Sequence, residues 1–322
     1  MSLRVGIIGC GALGVIHAER FAGMEGVVVT ALSDPNHSGM EKAAAVLPYA
    51  PTVMVEDYRV LLDSGLDAVC IASPDSFHVP QVMDALAANL HVHCEKPLTP
   101  DPEDLQAVID SKDEVGKAVS MTYPRRYDAG IRKLREEIQS GRYGRVTSVT
   151  AYNAEDWITP NRGTWRHDPE LCPGGFFYDA SGHQLDTLMW VTGLSPENAW
   201  AETDNRGTRN PMFIRGTANL SGGVPLSFTF VGDAHVWREQ INFHCESKDF
   251  TIENGRAYSV ERDGLHPMVP DGTAEETSDD AFIKLLRDQG PNWAPPEDLW
   301  SVLRLTNAAL ESAKFGGPVV VS

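Results

Sequence analysis

Six residues near the start of the chain, Gly9-Cys10-Gly11-Ala12-Leu13-Gly14, constrain the fold more than any other stretch. A glycine-rich hexapeptide is common in loops, so its surroundings decide its meaning. Here it follows directly on the apolar run Arg4–Ile8 and opens a helical pattern, Leu13–Ala22. Asp34 stands 20 residues beyond Gly14, just past the next apolar run, Val27–Leu32. Strand, tight turn, helix, strand and acid form the order of a βαβ unit that offers the free N–H groups of a helix to a pyrophosphate. The first glycine permits the turn, the second lets a ligand approach the backbone, and the third lets helix and strand touch. Gly9, Gly11, Ala12, Leu13 and Gly14 are therefore expected to cradle a dinucleotide, with Asp34 accepting from a ribose 2′-OH. The residues after Asp34, Pro35-Asn36-His37-Ser38, include no arginine for a 2′-phosphate, which favours NAD over NADP.

The pattern continues. The apolar runs Asp67–Ala72, His91–Cys94 and Ala118–Met121 alternate with helical patterns at Gly39–Leu47, Val55–Asp63, Val79–Ala88 and Pro102–Val115. Near-continuous apolar strands separated by helices predict a doubly wound α/β domain with a parallel sheet covered on both faces. After the basic helical segment Arg125–Gln139 the period becomes two, as in Leu226, Phe228, Phe230 and in Ile241, Phe243, Cys245. Val146–Tyr152, Ile214–Leu220, Phe250–Glu253 and Ala257–Glu261 read alike, and Asn254-Gly255 favours a tight hairpin. Residues 1–123 are thus expected to bind the dinucleotide. Residues 124–322 are expected to form an α+β domain with an open-faced, mainly antiparallel sheet, in which Gly175–Trp190 and Pro296–Phe315 are helices. Asp271–Asp280 is acidic and poor in apolar residues, and reads as a loop.

The 322 residues carry 27 Lys and Arg against 45 Asp and Glu, a formal net charge of −18. Such a surface repels phosphate backbones and anionic bilayers, so nucleic acid and membrane are not expected partners. No stretch approaches the ~20 apolar residues of a transmembrane helix. The five cysteines form no CxxC pair and no even set, as expected of reduced thiols in the cytoplasm.

Glu95-Lys96-Pro97 falls at the carboxyl end of the fifth predicted strand, the edge at which open α/β sheets bind ligands. His91, His93 and Glu95 alternate along that strand, but two histidines on a buried strand usually pack and hydrogen-bond, so no metal is expected. Farther on, Asp179, His183 and Asp186 occupy one face of the predicted helix. The rest of that helix is strongly apolar, and Ala180, Ser181 and Gly182 are small. A polar stripe beside small residues on a buried helix suits the close approach of a ligand or of the first domain.

Taken together these segments resemble the glucose-fructose oxidoreductase/inositol dehydrogenase (Gfo/Idh/MocA-like) family. The resemblance rests on Gly9–Gly14 with His17, Ser73-Pro74 with His78, and Glu95-Lys96-Pro97. It continues through Arg125-Arg126-Tyr127, Trp165-Arg166, Asp179-xxx-His183 and Glu311-Ser312-Ala313-Lys314. It implies that Ser73, Pro74, His78, Glu95 and Lys96 border the cofactor and that Lys96, Asp179 and His183 meet beside the nicotinamide. His183 would exchange a proton with the substrate hydroxyl, because imidazole titrates near ~6.5. Lys96 would stabilise the developing alkoxide, and Asp179 would orient the imidazole or contact a neighbouring hydroxyl. The resemblance also implies a homodimer or homotetramer formed through the C-terminal sheet. Two departures are Pro173, where the family often has glycine, and Pro124, where it often has asparagine.

Aromatic and polar residues crowd the approach to this helix. Tyr123, Arg126, Trp157, Trp165 and Arg166 are candidates to contact substrate, since aromatic faces interleaved with polar groups suit a polyhydroxylated ring. The leading expectation is an NAD-dependent oxidoreductase acting on a hydroxyl-bearing carbon of a sugar, cyclitol or related polyol. The alternatives are a glycoside hydrolase using transient oxidation by NAD, and a catalytically silent sensor.

Overall fold

The computed structural model describes residues 2–270, 272–273 and 275–321. It divides into two compact units. One runs to Tyr123 and takes back Thr277–Glu297; the other comprises Pro124–Glu276 and Asp298 onward.

The first unit is built on six parallel strands: β1 (Leu3–Ile8), β2 (Val27–Ser33), β3 (Val53–Val55), β4 (Ala68–Ile71), β5 (His91–Cys94) and β6 (Val119–Met121). Their order, β3-β2-β1-β4-β5-β6, reverses direction between β1 and β4. Ligands bind at such a switch point, beyond the carboxyl ends of the strands. Val5, Ile7, Val29, Val69, Ile71 and Val92 are wholly buried, as a sheet covered on both faces requires. The covering helices include α1 (Ala12–Ala22), α2 (His37–Ala45), α3 (Tyr58–Leu62), α4 (His78–Ala87) and α5 (Pro102–Val115). The short edge strand β3 takes the start of what the periodicity assigned to a helix at Val55. Three half-exposed residues, Val-Met-Val, are too few to stand out as a strand.

The returning segment departs from a single boundary at residue 123. Thr277 and Asp280 form a reciprocal capping box that opens the helix Ser278–Leu286. Phe282 and Ile283 then join Val5, Phe21, Val29 and Leu32 in one apolar core. Arg287 donates to the Glu25 carbonyl at 2.5 Å, and the Met121 N–H donates to the Ala294 carbonyl at 2.8 Å. The acidic loop expected at 271–280 therefore ends in a helix start, while Asp271 and Ala274 lie outside the described residues. Two of the carboxylates that read as loop-like are cap and core groups: Asp280 caps the helix and Asp279 is completely buried.

The second unit holds a nine-stranded sheet of β7 (Val146–Asp156), β8 (Pro196–Asp204), β9 (Phe213–Leu220), β10 (Val224–Val231), β11 (Asp233–Cys245), β12 (Asp249–Glu253), β13 (Arg256–Glu261), β14 (Gly264–Pro267) and β15 (Val319–Val320). The order is β14-β13-β12-β11-β7-β10-β9-β8-β15. Every pairing is antiparallel except that of β7 with β10. Asn254 and Gly255, both at positive φ (47° and 82°), make the predicted hairpin between β12 and β13. Along β9 buried and exposed residues alternate, so one face packs and the other stays open. Helix α6 (Ala129–Gln139) buries Ile131, Leu134 and Ile138.

The helix expected at Gly175–Trp190 is two helices, Gly175–Asp179 and Gly182–Thr192. At the break the N–H groups of Ala180 and Ser181 both reach the Phe176 carbonyl, at 3.1 and 3.0 Å. The small residues that looked like a surface for close approach are the joint itself.

Candidate dinucleotide and catalytic site

Each glycine of the first turn answers a separate steric demand. Gly9 has φ +88°, and a Cβ there would stand 2.6 Å from the backbone of Ala72 and Ser73. The carboxyl ends of β1 and β4 can therefore meet only over glycine. A Cβ on Gly14 would lie 1.9 Å from the Gly9 carbonyl oxygen, so α1 can close on the turn only without one. Gly11 differs, because its Cβ would meet nothing within 4 Å. It is the N-cap of α1, with no side chain capping the helix and no acid in the first turn. The end of α1 thus presents free N–H groups and a positive dipole end to open space.

Asp34 lies beside this turn at the end of β2. Its Oδ2 accepts from the Cys10 N–H and its Oδ1 from the Asn36 N–H, both at 2.7 Å, so the carboxylate is held in one orientation while still half-exposed. The open side of Gly11, the uncapped helix and the fixed acid fit the pyrophosphate and adenosine ribose of NAD.

Ser73 and Pro74 follow β4 and are half-buried. The Ser73 hydroxyl donates to Gln81 Oε1 at 2.6 Å. His78 occupies a different place from the one the sequence suggested. It is 1% exposed, with Nδ1 2.7 Å from the Pro97 carbonyl and Nε2 2.9 Å from that of Ser73. Both nitrogens face backbone carbonyls, of which a neutral ring donates to one, so His78 ties the segment after β4 to the one after β5. Burial pushes its pKa down.

Glu95 is likewise turned inward. Its Oε1 lies 3.1 Å from His17 Nε2, and its Oε2 accepts from the Lys96 N–H at 3.3 Å. Burial alone would raise its pKa, but hydrogen bonding and charge from His17, aided by Lys96 and Thr122, hold it down at about 2. Lys96 itself is only half-buried, and the Thr122 hydroxyl takes a second share of its N–H.

In the second unit Asp179 ends one short helix and His183 begins the next. Asp179 is buried and accepts from Arg166 Nε at 3.0 Å; Arg166 in turn lies 4.3 Å over the Trp165 ring. His183 is half-buried beside Gly182, whose Cβ would face open space. Arg166 and Trp165 are both half-buried.

Three other candidates are buried. Arg126 is 1% exposed and bound to Asp186 and Asp298, so it cannot reach a substrate. Asp186 therefore belongs to a buried ion pair and does not extend the stripe of Asp179 and His183. Trp157 is buried, with its ring 5.5 Å from His167 and 5.9 Å from Phe176. Tyr123, the last residue of the first unit's main segment, is 4% exposed. Sequence reasoning also passed over Asp279. The signal available was the capping pattern Thr277-Ser278-Asp279-Asp280 ahead of apolar Ala281-Phe282-Ile283.

A doubly wound sheet with an uncapped, glycine-opened helix and an acid at the end of β2 defines a dinucleotide-binding fold. Residues 3–123 match the model of an oxidoreductase family with an NAD-binding Rossmann fold, and residues 131–250 match the Gfo/Idh/MocA C-terminal domain. The chain belongs to that family. It is 31% identical to an inositol 2-dehydrogenase of Leifsonia xyli over 341 aligned positions, covering 92% of this chain and 96% of the relative. It is 28% identical to an inositol 2-dehydrogenase of Corynebacterium glutamicum over 232 residues, 69% of this chain but 65% of that protein, slightly under two thirds of its length. The fold matches a scyllo-inositol dehydrogenase of Lactobacillus casei solved with NAD(H) and scyllo-inositol, with a TM-score of 0.82, 20% identity and 99% of each chain covered. No helix among the described residues is long and apolar enough to cross a membrane.

Proposed function

We propose that this protein is an NAD-dependent dehydrogenase that oxidises a ring hydroxyl of a cyclitol or closely related sugar to the ketone. The observation that carries the reading is Asp179 and His183 flanking a helix break, in a chain whose Lys96 turn ends a strand of an NAD-binding sheet. The inositol 2-dehydrogenase names of the relatives support the substrate class.

NAD, when bound, supplies the two-electron acceptor. The N–H groups at the start of α1 hold its pyrophosphate, and Asp34 holds the ribose hydroxyls and repels a 2′-phosphate. His183 takes the proton of the substrate hydroxyl as general base. Lys96 donates to the same oxygen and stabilises its developing negative charge. Asp179, fixed by Arg166, keeps the imidazole aimed at that oxygen. Trp165 offers an aromatic face to the ring.

The open face of the nine-stranded sheet supports a homo-oligomer. It carries Tyr152 at 41% exposure, with Trp200, Thr217 and Asn242, around a shallow depression of about 460 Å³. The five buried thiols suit a cytoplasmic protein.

The test is a panel of inositol stereoisomers and aldoses incubated with NAD. Stoichiometric NADH from one or more cyclitols is the expected result. Release of a free sugar from a glycoside without net NADH identifies the transient-oxidation hydrolase, and NAD binding with no turnover identifies a sensor.

A further inference from the structure

The first unit buries a run of ionisable groups that the chemistry above does not use. His17, on α1, stands between two carboxylates. Its Nδ1 is 2.6 Å from Asp279 Oδ1, and its Nε2 is 3.1 Å from Glu95 Oε1. All three residues are under 9% exposed. Asp279 Oδ2 accepts from Arg20 Nη1 at 3.1 Å, and Glu95 Oε2 accepts from the Lys96 N–H. His93 Nε2 approaches Asp279 Oδ1 to 3.6 Å, and its ring stacks on Phe282 at 4.8 Å.

His17, His93 and Asp279 are residue types that bind metals, but their geometry opposes an ion. In a tetrahedral shell with bonds of ~2.1 Å the ligand atoms lie ~3.4 Å apart. His17 Nδ1 and Asp279 Oδ1 are much closer than that, and a 2.6 Å contact between such atoms is a shared proton. Both ring nitrogens of His17 face carboxylate oxygens, so both must donate and the ring must carry a charge.

We propose that Asp279 and His17 are positioning residues for Lys96, acting through the buried chain Asp279–His17–Glu95–Lys96 N–H. The inference rests on the dehydrogenase reading of Lys96. Asp279, returned from late in the sequence, anchors one side of the imidazolium. The imidazolium anchors Glu95, and Glu95 holds the backbone of the turn from which the Lys96 side chain projects. The same imidazolium is three residues past Gly14, so the dinucleotide helix and the lysine turn share one anchor.

The groups facing His17 are Arg20 of its own helix, Cys70 of β4, His93 and Glu95 at β5, and Asp279. Burial opposes charge on His17, but Cys70, Asp279 and Glu95 outweigh it and raise the pKa well above the ordinary value. Burial pushes His93 down to about 4, so it stays neutral beside the chain. The relay therefore sets one positive charge between two negative ones next to Lys96. Losing the imidazolium would unshield Glu95 toward the lysine.

The experiment compares wild type and His17→Gln, both loaded with NAD. Lys96 carries ¹³C-methyl groups introduced by reductive methylation and is assigned with a Lys96→Arg control. The expected result is an upward shift of the Lys96 titration, a matching shift of the alkaline limb of the kcat profile, and a kcat lowered ~10- to 100-fold. NAD affinity should stay within about threefold. A folded variant with an unmoved Lys96 titration overturns the proposal. Should His17→Gln fail to fold, ¹⁵N spectra of the wild-type histidines decide: His17 doubly protonated at neutral pH supports the relay, and a neutral His17 refutes it. Neither spectrum depends on turnover. If no cyclitol is oxidised, only the dehydrogenase reading falls.

Discussion

Arg126 grips Asp186 through two parallel hydrogen bonds, Nε to Oδ2 at 3.0 Å and Nη2 to Oδ1 at 2.6 Å, with both side chains buried. Its remaining Nη1 reaches Asp298 Oδ2 at 2.5 Å, and its guanidinium lies 5.5 Å from the Trp190 ring. The pair joins the turn before α6 to the helix Gly182–Thr192. Removing one partner strands the other charge in the core. Arg126→Ala should destabilise the protein by about 3–5 kcal/mol, read as a fall in the urea midpoint. Arg126→Met combined with Asp186→Leu should recover most of that loss, since the only charge it leaves unpaired, Asp298, is partly exposed to solvent.

The glycines of the first turn should separate folding from cofactor binding. Gly14→Ala drives a methyl into the Gly9 carbonyl and should cost both stability and NAD affinity. Gly11→Ala meets no protein atom, so stability should change by less than about 1 kcal/mol, the scale of an N-cap substitution. NAD affinity should nevertheless fall at least tenfold by calorimetry. An unchanged NAD affinity in Gly11→Ala would place the pyrophosphate elsewhere.

Asp34 is the predicted discriminator between cofactors. Asp34→Ser should narrow the preference for NAD over NADP at least tenfold, because the charge that repels a 2′-phosphate is gone. The check is the ratio of dissociation constants for the two cofactors.

His183→Ala should lower kcat by about 10² to 10⁴, the usual contribution of a positioned general base. NAD affinity should be unaffected, because the pyrophosphate and ribose contacts assigned above lie at the start of α1 and at Asp34. A parallel loss of NAD binding would contradict the assigned role.

Glu95 and His17 should shape opposite ends of the pH–stability curve. The Glu95 pKa is depressed from its ordinary 4.5 to about 2, so its stabilisation is present above about 4.5 and lost as the pH falls toward 2. The shift corresponds to about 3 kcal/mol. His17 is raised, so its stabilisation is complete below the ordinary histidine value and lost as the pH climbs through the folded one. Urea midpoints against pH should show Glu95→Gln flattening the acid limb between about 4.5 and 2.

The alternation of apolar runs with helices made the parallel sheet legible, because strands buried on both faces leave continuous signals such as Val-Gly-Ile-Ile and Ala-Val-Cys-Ile. The dinucleotide turn was legible because Gly9 and Gly14 sit where sterics forbid a side chain, while Gly11 leaves the helix end open. Burial and partnership were harder to read. Arg126 and His78 have the residue types of ligand contacts, yet their partners Asp186, Asp298 and the Pro97 carbonyl are 19 to 172 residues away. The break at Ala180-Ser181 escaped notice because helical spacing persists across it. Asp279 was hidden by composition, since an acid in an acidic stretch looks solvated until its distant histidine is known.

The path of the chain through its two units has a consequence for modularity. Residues 277–297 supply Asp279 to His17 and Phe282 to the ring of His93. A fragment cut at residue 123 would leave those partners facing water, and a chimera that exchanged only the first 123 residues would inherit a foreign plug for the same cavity. Any successful graft of this dinucleotide module must carry two pieces of sequence, the second drawn from more than 150 residues downstream. Evolution of the cofactor half is thereby tied to a stretch embedded in the coding sequence of the other half.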